Sequence, residues 1–192
     1  MRRPAYISPS AFQKFKSNQE EYYIQYLADN RPPREPQTTA MAIGSAFDCY
    51  VKAEINDKLN GDKGKTDLLF PNLFERAVEI QNRDKARVDG MVVFDLYKRS
   101  GALADLMSEI YSDLQMEYEV QGMVPSKRES GLILMGKPDL SFKNRNGKRV
   151  LLDWKVNGAY SRHNVSPMKG YTKIRGADGS LMKCHKECIP GS

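Results

Sequence analysis

Two acids and a lysine stand out by type and spacing: Asp139, directly after Pro138, and Asp153 and Lys155 on either side of Trp154. Asp153-Trp154-Lys155 is the one Asp/Glu-x-Lys triplet of the chain, and Pro138-Asp139 its one Pro-Asp pair. The apolar runs at 132–135 and 150–152 each lead within four residues to one of these acids, and Asn146-Gly147 between them signals a tight turn. The segment reads as a β-hairpin. A two-residue turn at Asn146-Gly147 sets residue 139 opposite 154, whereas a three-residue loop ending in a left-handed Gly147 sets it opposite 153. The second register is favoured. It makes Asp139 face Asp153, with Lys155 two residues further along the same face. Carboxylates held close repel, and a divalent cation relieves the repulsion. Mg²⁺ or Mn²⁺ takes oxygen ligands, keeps several waters and can activate one against a phosphate; Lys155 would orient or deprotonate that water, or offset charge in the transition state. The plainer alternative is a surface hairpin with solvated charges.

The elements that must position these residues come earlier. Ser8-Pro9 predicts a helix start, Ser as N-cap and Pro at the first helical position. Phe12, Phe15, Tyr22, Tyr23, Tyr26 and Leu27 follow at helical spacing over two short helices broken near Ser17-Asn18, with core packing expected for most of them. The prolines at 32, 33 and 36 predict an extended connector, after which Thr38 or Thr39 opens a second helix. On that helix Gly44, Asp48, Val51 and Ile55 share one face, so a single acid lies on a small and apolar stripe and points toward the helix's neighbour. Residues 56–66 read as a mobile surface loop, and 72–112 as helical with a break at Ser100-Gly101. Residues 115–124 alternate like a first strand, bearing Glu117 and Glu119, with Glu119 a further candidate ligand.

The 192 residues suit one domain: a helical part to about residue 112, a catalytic sheet over 113–160 and a basic tail over 161–192. Neither a spanning segment nor the apolar core of a signal peptide is evident, which predicts a cytosolic protein. Net charge is +6, but residues 143–192 carry 11 Lys and Arg against 3 Asp and Glu, a balance of +8 that leaves −2 for the rest. A basic patch beside the acids suits a phosphate backbone, with Lys137, Lys148, Arg149, Arg162, Lys169, Lys173 and Arg175 as candidate DNA contacts; the bland alternative is a solvated tail. Cys49 falls in an apolar helical pattern and reads as core, while Cys184, His185 and Cys188 have the spacing of half a zinc or iron–sulfur site.

Taken together, Ile7-Ser8-Pro9-Ser10, then Ile43-Gly44-Ser45-Ala46-Phe47-Asp48, then Gly136-Lys137-Pro138-Asp139 with Asp153-Trp154-Lys155 resemble the RecB-type branch of the PD-(D/E)xK nucleases, and most of all its RecE-type phage exonucleases. The resemblance implies an α/β fold, a central mixed sheet flanked by helices, and hydrolysis of DNA phosphodiesters with one or two Mg²⁺ or Mn²⁺ ions, often progressively from a duplex end. It makes Asp139 and Asp153 metal ligands together with the backbone carbonyl of Trp154, and Lys155 the residue serving the attacking water. Asp48 falls where this branch often has a metal-binding histidine. The branch's downstream Gln-x-x-x-Tyr helix is not evident, and no long helix follows Lys155, so the domain is expected to continue past residue 192. A partner protein in phage recombination and a ring-forming oligomer would suit progressive digestion. The other readings are a DNA-binding module that keeps the fold without cutting, and a structure-specific endonuclease or an RNase on the same scaffold.

Overall fold

A computed structural model describes residues 4, 6–61, 64–117, 119–124, 131–156, 173–175 and 181–183. The chain divides into two compact units, Met1–Trp154 and Lys155–Ser192.

The first unit begins with the Ser8 cap expected from sequence. Ser8 Oγ accepts the amide of Ala11 and opens α1 (Pro9–Ser17), and Asn18 then caps the short α2 (Gln19–Tyr22), which runs into a π-helical turn, Tyr23–Leu27. Of the aromatics at helical spacing only Tyr22 is buried; Phe12, Phe15 and Tyr23 are exposed, so the expectation of core packing for most of them fails. Helices this short present too narrow a face to bury every aromatic they carry. An extended connector follows. Its end is latched to residues 77–79 by Gln37, whose amide N–H donates to Glu79 Oε2 at 2.9 Å and whose side-chain amide donates to the Ala77 carbonyl at 3.0 Å.

Thr38 caps the long helix α3 (Thr39–Asn60), which packs against α4 (Phe70–Ala77) and α5 (Arg83–Arg99); α6 (Ala102–Glu109) follows a left-handed Gly101 at the predicted break. Ala42, Ala46, Phe74, Val78 and Ala86 form one core cluster, and Cys49, Leu68 and Leu73 another. Cys49 is core, as its pattern predicted. Helix α5 comes close to α3 at Gly90, where an added Cβ would lie 2.6 Å from Ala46 Cβ. Residues 56–60 extend α3 instead of belonging to a loop, because the buried Asn56 binds Lys65 through both its amide oxygen and its amide nitrogen.

The strands are β1 (Ser112–Met116), β2 (Val120–Val124), β3 (Leu132–Gly136), β4 (Leu140–Lys143) and β5 (Arg149–Leu152). They form two small antiparallel sheets, β1-β4-β5 and β2-β3, in place of the expected central mixed sheet; among the described residues the parallel pairing is a lone bridge from Ile7 to Leu134. The expected strand over 115–124 is two strands in different sheets, divided at Glu117, whose φ of 56° turns the backbone out of extended geometry. The hairpin itself is β4–β5. Lys143 pairs with Arg149 and Leu140 with Leu152, and the Gly147 amide donates to the Asn144 carbonyl with φ +72° at Gly147. This is the favoured three-residue loop, in the register that sets 139 opposite 153. Leu140, Ser141 and Phe142 are all buried, as suits the middle strand of three. Met116 of β1 packs on the second core cluster and joins the sheet to α3.

The mixed helical and sheet composition with a helical first half agrees with the sequence. No described helix is long and apolar enough to cross a membrane. In the second unit β6 (Lys173–Arg175) pairs antiparallel with β7 (Leu181–Lys183), Ile174 opposite Met182.

Candidate functional site

Sheet register lines the acids up. Leu140 pairs with Met116 on one side and Leu152 on the other, so one residue further along the three strands come Glu117, Asp139 and Asp153 in a row. Helix α3 brings Asp48 to the same place, and one helical turn on, Lys52. Lys52 is 2% exposed. Its Nζ lies 2.6 Å from Asp48 Oδ2 and 3.8 Å from Asp139 Oδ1, and donates to Glu117 Oε1. Carboxylates from a helix and from the residues flanking two strands thus meet on one ammonium.

Asp139 is fixed by a second contact. The Trp154 amide N–H donates to its Oδ2 at 2.7 Å, and the Trp154 indole N–H reaches Tyr97 Oη at 3.4 Å. Tyr97 in turn meets Phe47 edge to face. This contact explains why Asp153-Trp154 must follow β5 directly: the residue after the second acid holds the first.

Burial raises the Asp48 carboxyl from its ordinary 3.8 to about 6, against the pull of the Lys52 ammonium, and Asp139 and Glu117 add to the rise. Asp139 is also raised, first by burial; the Trp154 N–H and Lys52 act the other way, and Asp153 adds to the rise by its charge and by sharing a hydrogen bond with Asp139. Burial would lower Lys52, but the Asp48 and Glu117 carboxylates outweigh it and its ammonium is held above the usual range. Beside the cluster, Asp48, Cys49, Leu73, Arg76, Ala77 and Glu117 line a cavity of about 140 Å³. Burial pushes the Cys49 thiol up to about 12, so it stays protonated.

The fit of a divalent cation can be judged on these atoms. The donors are all carboxylate oxygens, the type that Mg²⁺ and Mn²⁺ take. Asp48 Oδ1 is buried without a hydrogen-bond partner, and Lys52 is already a cation drawn into their midst. The donor chemistry therefore fits. As the side chains stand, no group of three or more His, Cys, Asp or Glu among the described residues is arranged to hold a metal ion.

Three of the predicted site residues, Asp48, Asp139 and Asp153, are brought together. Glu119 is not: it pairs at the surface with Lys137 at 2.6 Å, because the break at Glu117 separates the two glutamates that a continuous strand would have kept on one face. Glu117 takes the place expected of Glu119. Trp154 enters through its N–H. Lys155 is exposed and is the first residue of the second unit. Of the candidate DNA contacts, Lys137 is held by Glu119, Lys148 is exposed, and Arg149 binds Asp113 and Ser141 Oγ. Lys173 and Arg175 lie on β6, while Arg162, Lys169, Cys184, His185 and Cys188 lie outside the described residues.

Lys52 and Glu117 were missed from sequence. A signal existed for the first: Asp48-x-x-x-Lys52 is an i, i+4 pair on the helix face already singled out. Comparison with protein families, characterised proteins and solved structures finds no match to the chain.

Proposed function

We propose that the chain is a metal-dependent deoxyribonuclease of the PD-(D/E)xK kind, an exonuclease acting on linear duplex ends in phage recombination or repair. The observation that carries this reading is the row Glu117, Asp139 and Asp153 across three strands, met by Asp48 from α3. Asp48, Asp139 and Asp153 would hold Mg²⁺ or Mn²⁺, which supplies an activated water and charge neutralisation at the scissile phosphate. The chain's own part is positioning. Trp154 N–H orients Asp139, and Tyr97 anchors the Trp154 ring. By its place in the sequence, Lys155 would serve the attacking water, and the basic excess over 143–192 would draw the phosphate backbone.

Linear duplex DNA incubated with Mg²⁺ or Mn²⁺ should shorten, and Asp153→Ala or Lys155→Ala should stop it. Equal activity in the wild type and both variants removes the site assignment. Closed circular DNA and RNA assayed in parallel separate an exonuclease from an endonuclease or an RNase.

One observation favours a second reading, a DNA-binding module that keeps the fold without cutting: a lysine ammonium already stands as a cation among the carboxylates. Calorimetry separates the two. A nuclease site binds Mn²⁺ and loses it in Asp139→Ala, whereas a pure binder takes up none.

A further inference from the structure

We infer that Lys52 is a resident counter-cation that competes with the divalent ion for Asp48, Glu117 and Asp139, an inference that rests on the metal-binding reading above. An ammonium has three N–H donors, and this one is surrounded by three carboxylates supplied by three separate segments of the chain. Its four-carbon stem rises from the buried face of α3, where Val51 and Ile55 are fully enclosed, so burying a lysine here requires its charge to be used. The charges do not cancel. Three carboxylates against one ammonium leave an excess of two negative charges in the ionised cluster, and one buried oxygen, Asp48 Oδ1, has no donor.

Lys52 thereby does two things at once. It keeps the acids from repelling one another when no ion is bound, which holds the end of β1, the start of β4 and the middle of α3 together. It also occupies oxygens that a divalent ion needs, so entry of the ion requires the ammonium to release Asp48 and Asp139. The flexible stem permits that, since a lysine holds its partners as a mobile point charge and not as a rigid fork. Removing the charge while keeping the stem leaves the acids and the packing in place but abolishes the competition.

The test is Mn²⁺ titration calorimetry and thermal melting, with and without Mn²⁺, of the wild type, Lys52→Met and Lys52→Gln, folding being checked by circular dichroism. The variants should melt lower than wild type in chelator, recover more on adding Mn²⁺, and bind it with a dissociation constant smaller by about tenfold or more. Mn²⁺ binding to Lys52→Met when the wild type binds none also supports the inference. Equal or weaker affinity in both variants overturns it while leaving the metal site standing. Variants that neither fold alone nor regain structure with Mn²⁺ overturn it too, since the ion then does not take the lysine's place. Absence of Mn²⁺ binding in wild type and folded variants alike overturns the metal reading, and this inference with it.

Discussion

Lys52 Nζ and Asp48 Oδ2 lie 2.6 Å apart, one turn from each other on α3, with the lysine side chain 3% and the aspartate 22% exposed. The pair is not a surface i, i+4 bridge of the kind that contributes a few tenths of a kcal/mol, because Lys52 also reaches Glu117 and Asp139.

Truncating the lysine therefore leaves the half-buried Asp48 and Asp139 without their counter-charge. Lys52→Ala should destabilise the chain by about 2–3 kcal/mol in chelator, less than breaking a fully buried ion pair from one side because the carboxylates keep part of their contact with water. Urea denaturation followed by circular dichroism checks this; a loss below about 1 kcal/mol, the range of exposed bridges, would contradict the burial argument.

Stability should also depend on pH in a definite direction. The folded Asp48 carboxyl titrates near 6 and its ordinary value is 3.8, so between them the folded chain keeps a proton that the unfolded chain has released. Stability must then fall as pH rises from about 4 to about 6, by about 3 kcal/mol for a shift of that size. Asp139, raised in the same direction, adds to the fall. Melting curves in chelator across this window should show it, and Asp48→Asn should flatten most of the slope; a variant that tracks the wild type would remove Asp48 as its source.

The two glutamates that share a face in a simple strand reading should behave differently. Glu117→Gln removes a partner of Lys52 and should change Mn²⁺ affinity, whereas Glu119→Gln, which disturbs only the surface pair with Lys137, should leave it as in the wild type. Parallel calorimetric titrations decide between them.

Helix α3 carries Asp48 and Lys52 only because α5 lets it approach. In Gly90→Ala the new methyl meets Ala46 Cβ at 2.6 Å, so one helix must move, at a cost of about 1–3 kcal/mol. The melting temperature should drop, and Mn²⁺ affinity should weaken in step as α3 shifts against β4. A variant as stable as the wild type would show that the contact yields without strain.

Local chemistry was legible in the chain itself. Ser8 and Thr38 cap their helices as their side chains dictate, and Gly147 selects the three-residue loop that sets Asp139 against Asp153, because the turn alone sets a hairpin's register. What only the tertiary structure decided were the meetings between distant segments. The i, i+4 spacing that links Lys52 to Asp48 also occurs in the exposed pair Lys85–Asp89, so it signals pairing and not enclosure; the burial of Lys52 depends on β1 and β4 arriving over α3 with acids at their ends. Glu117 replaced Glu119 for a similar reason: a positive φ at one residue ends β1, and alternation along a strand ceases to apply once the strand stops. The acids were readable because turn and periodicity are properties of neighbouring residues, and the lysine between them was not, because enclosure of a charge is a property of everything packed around it.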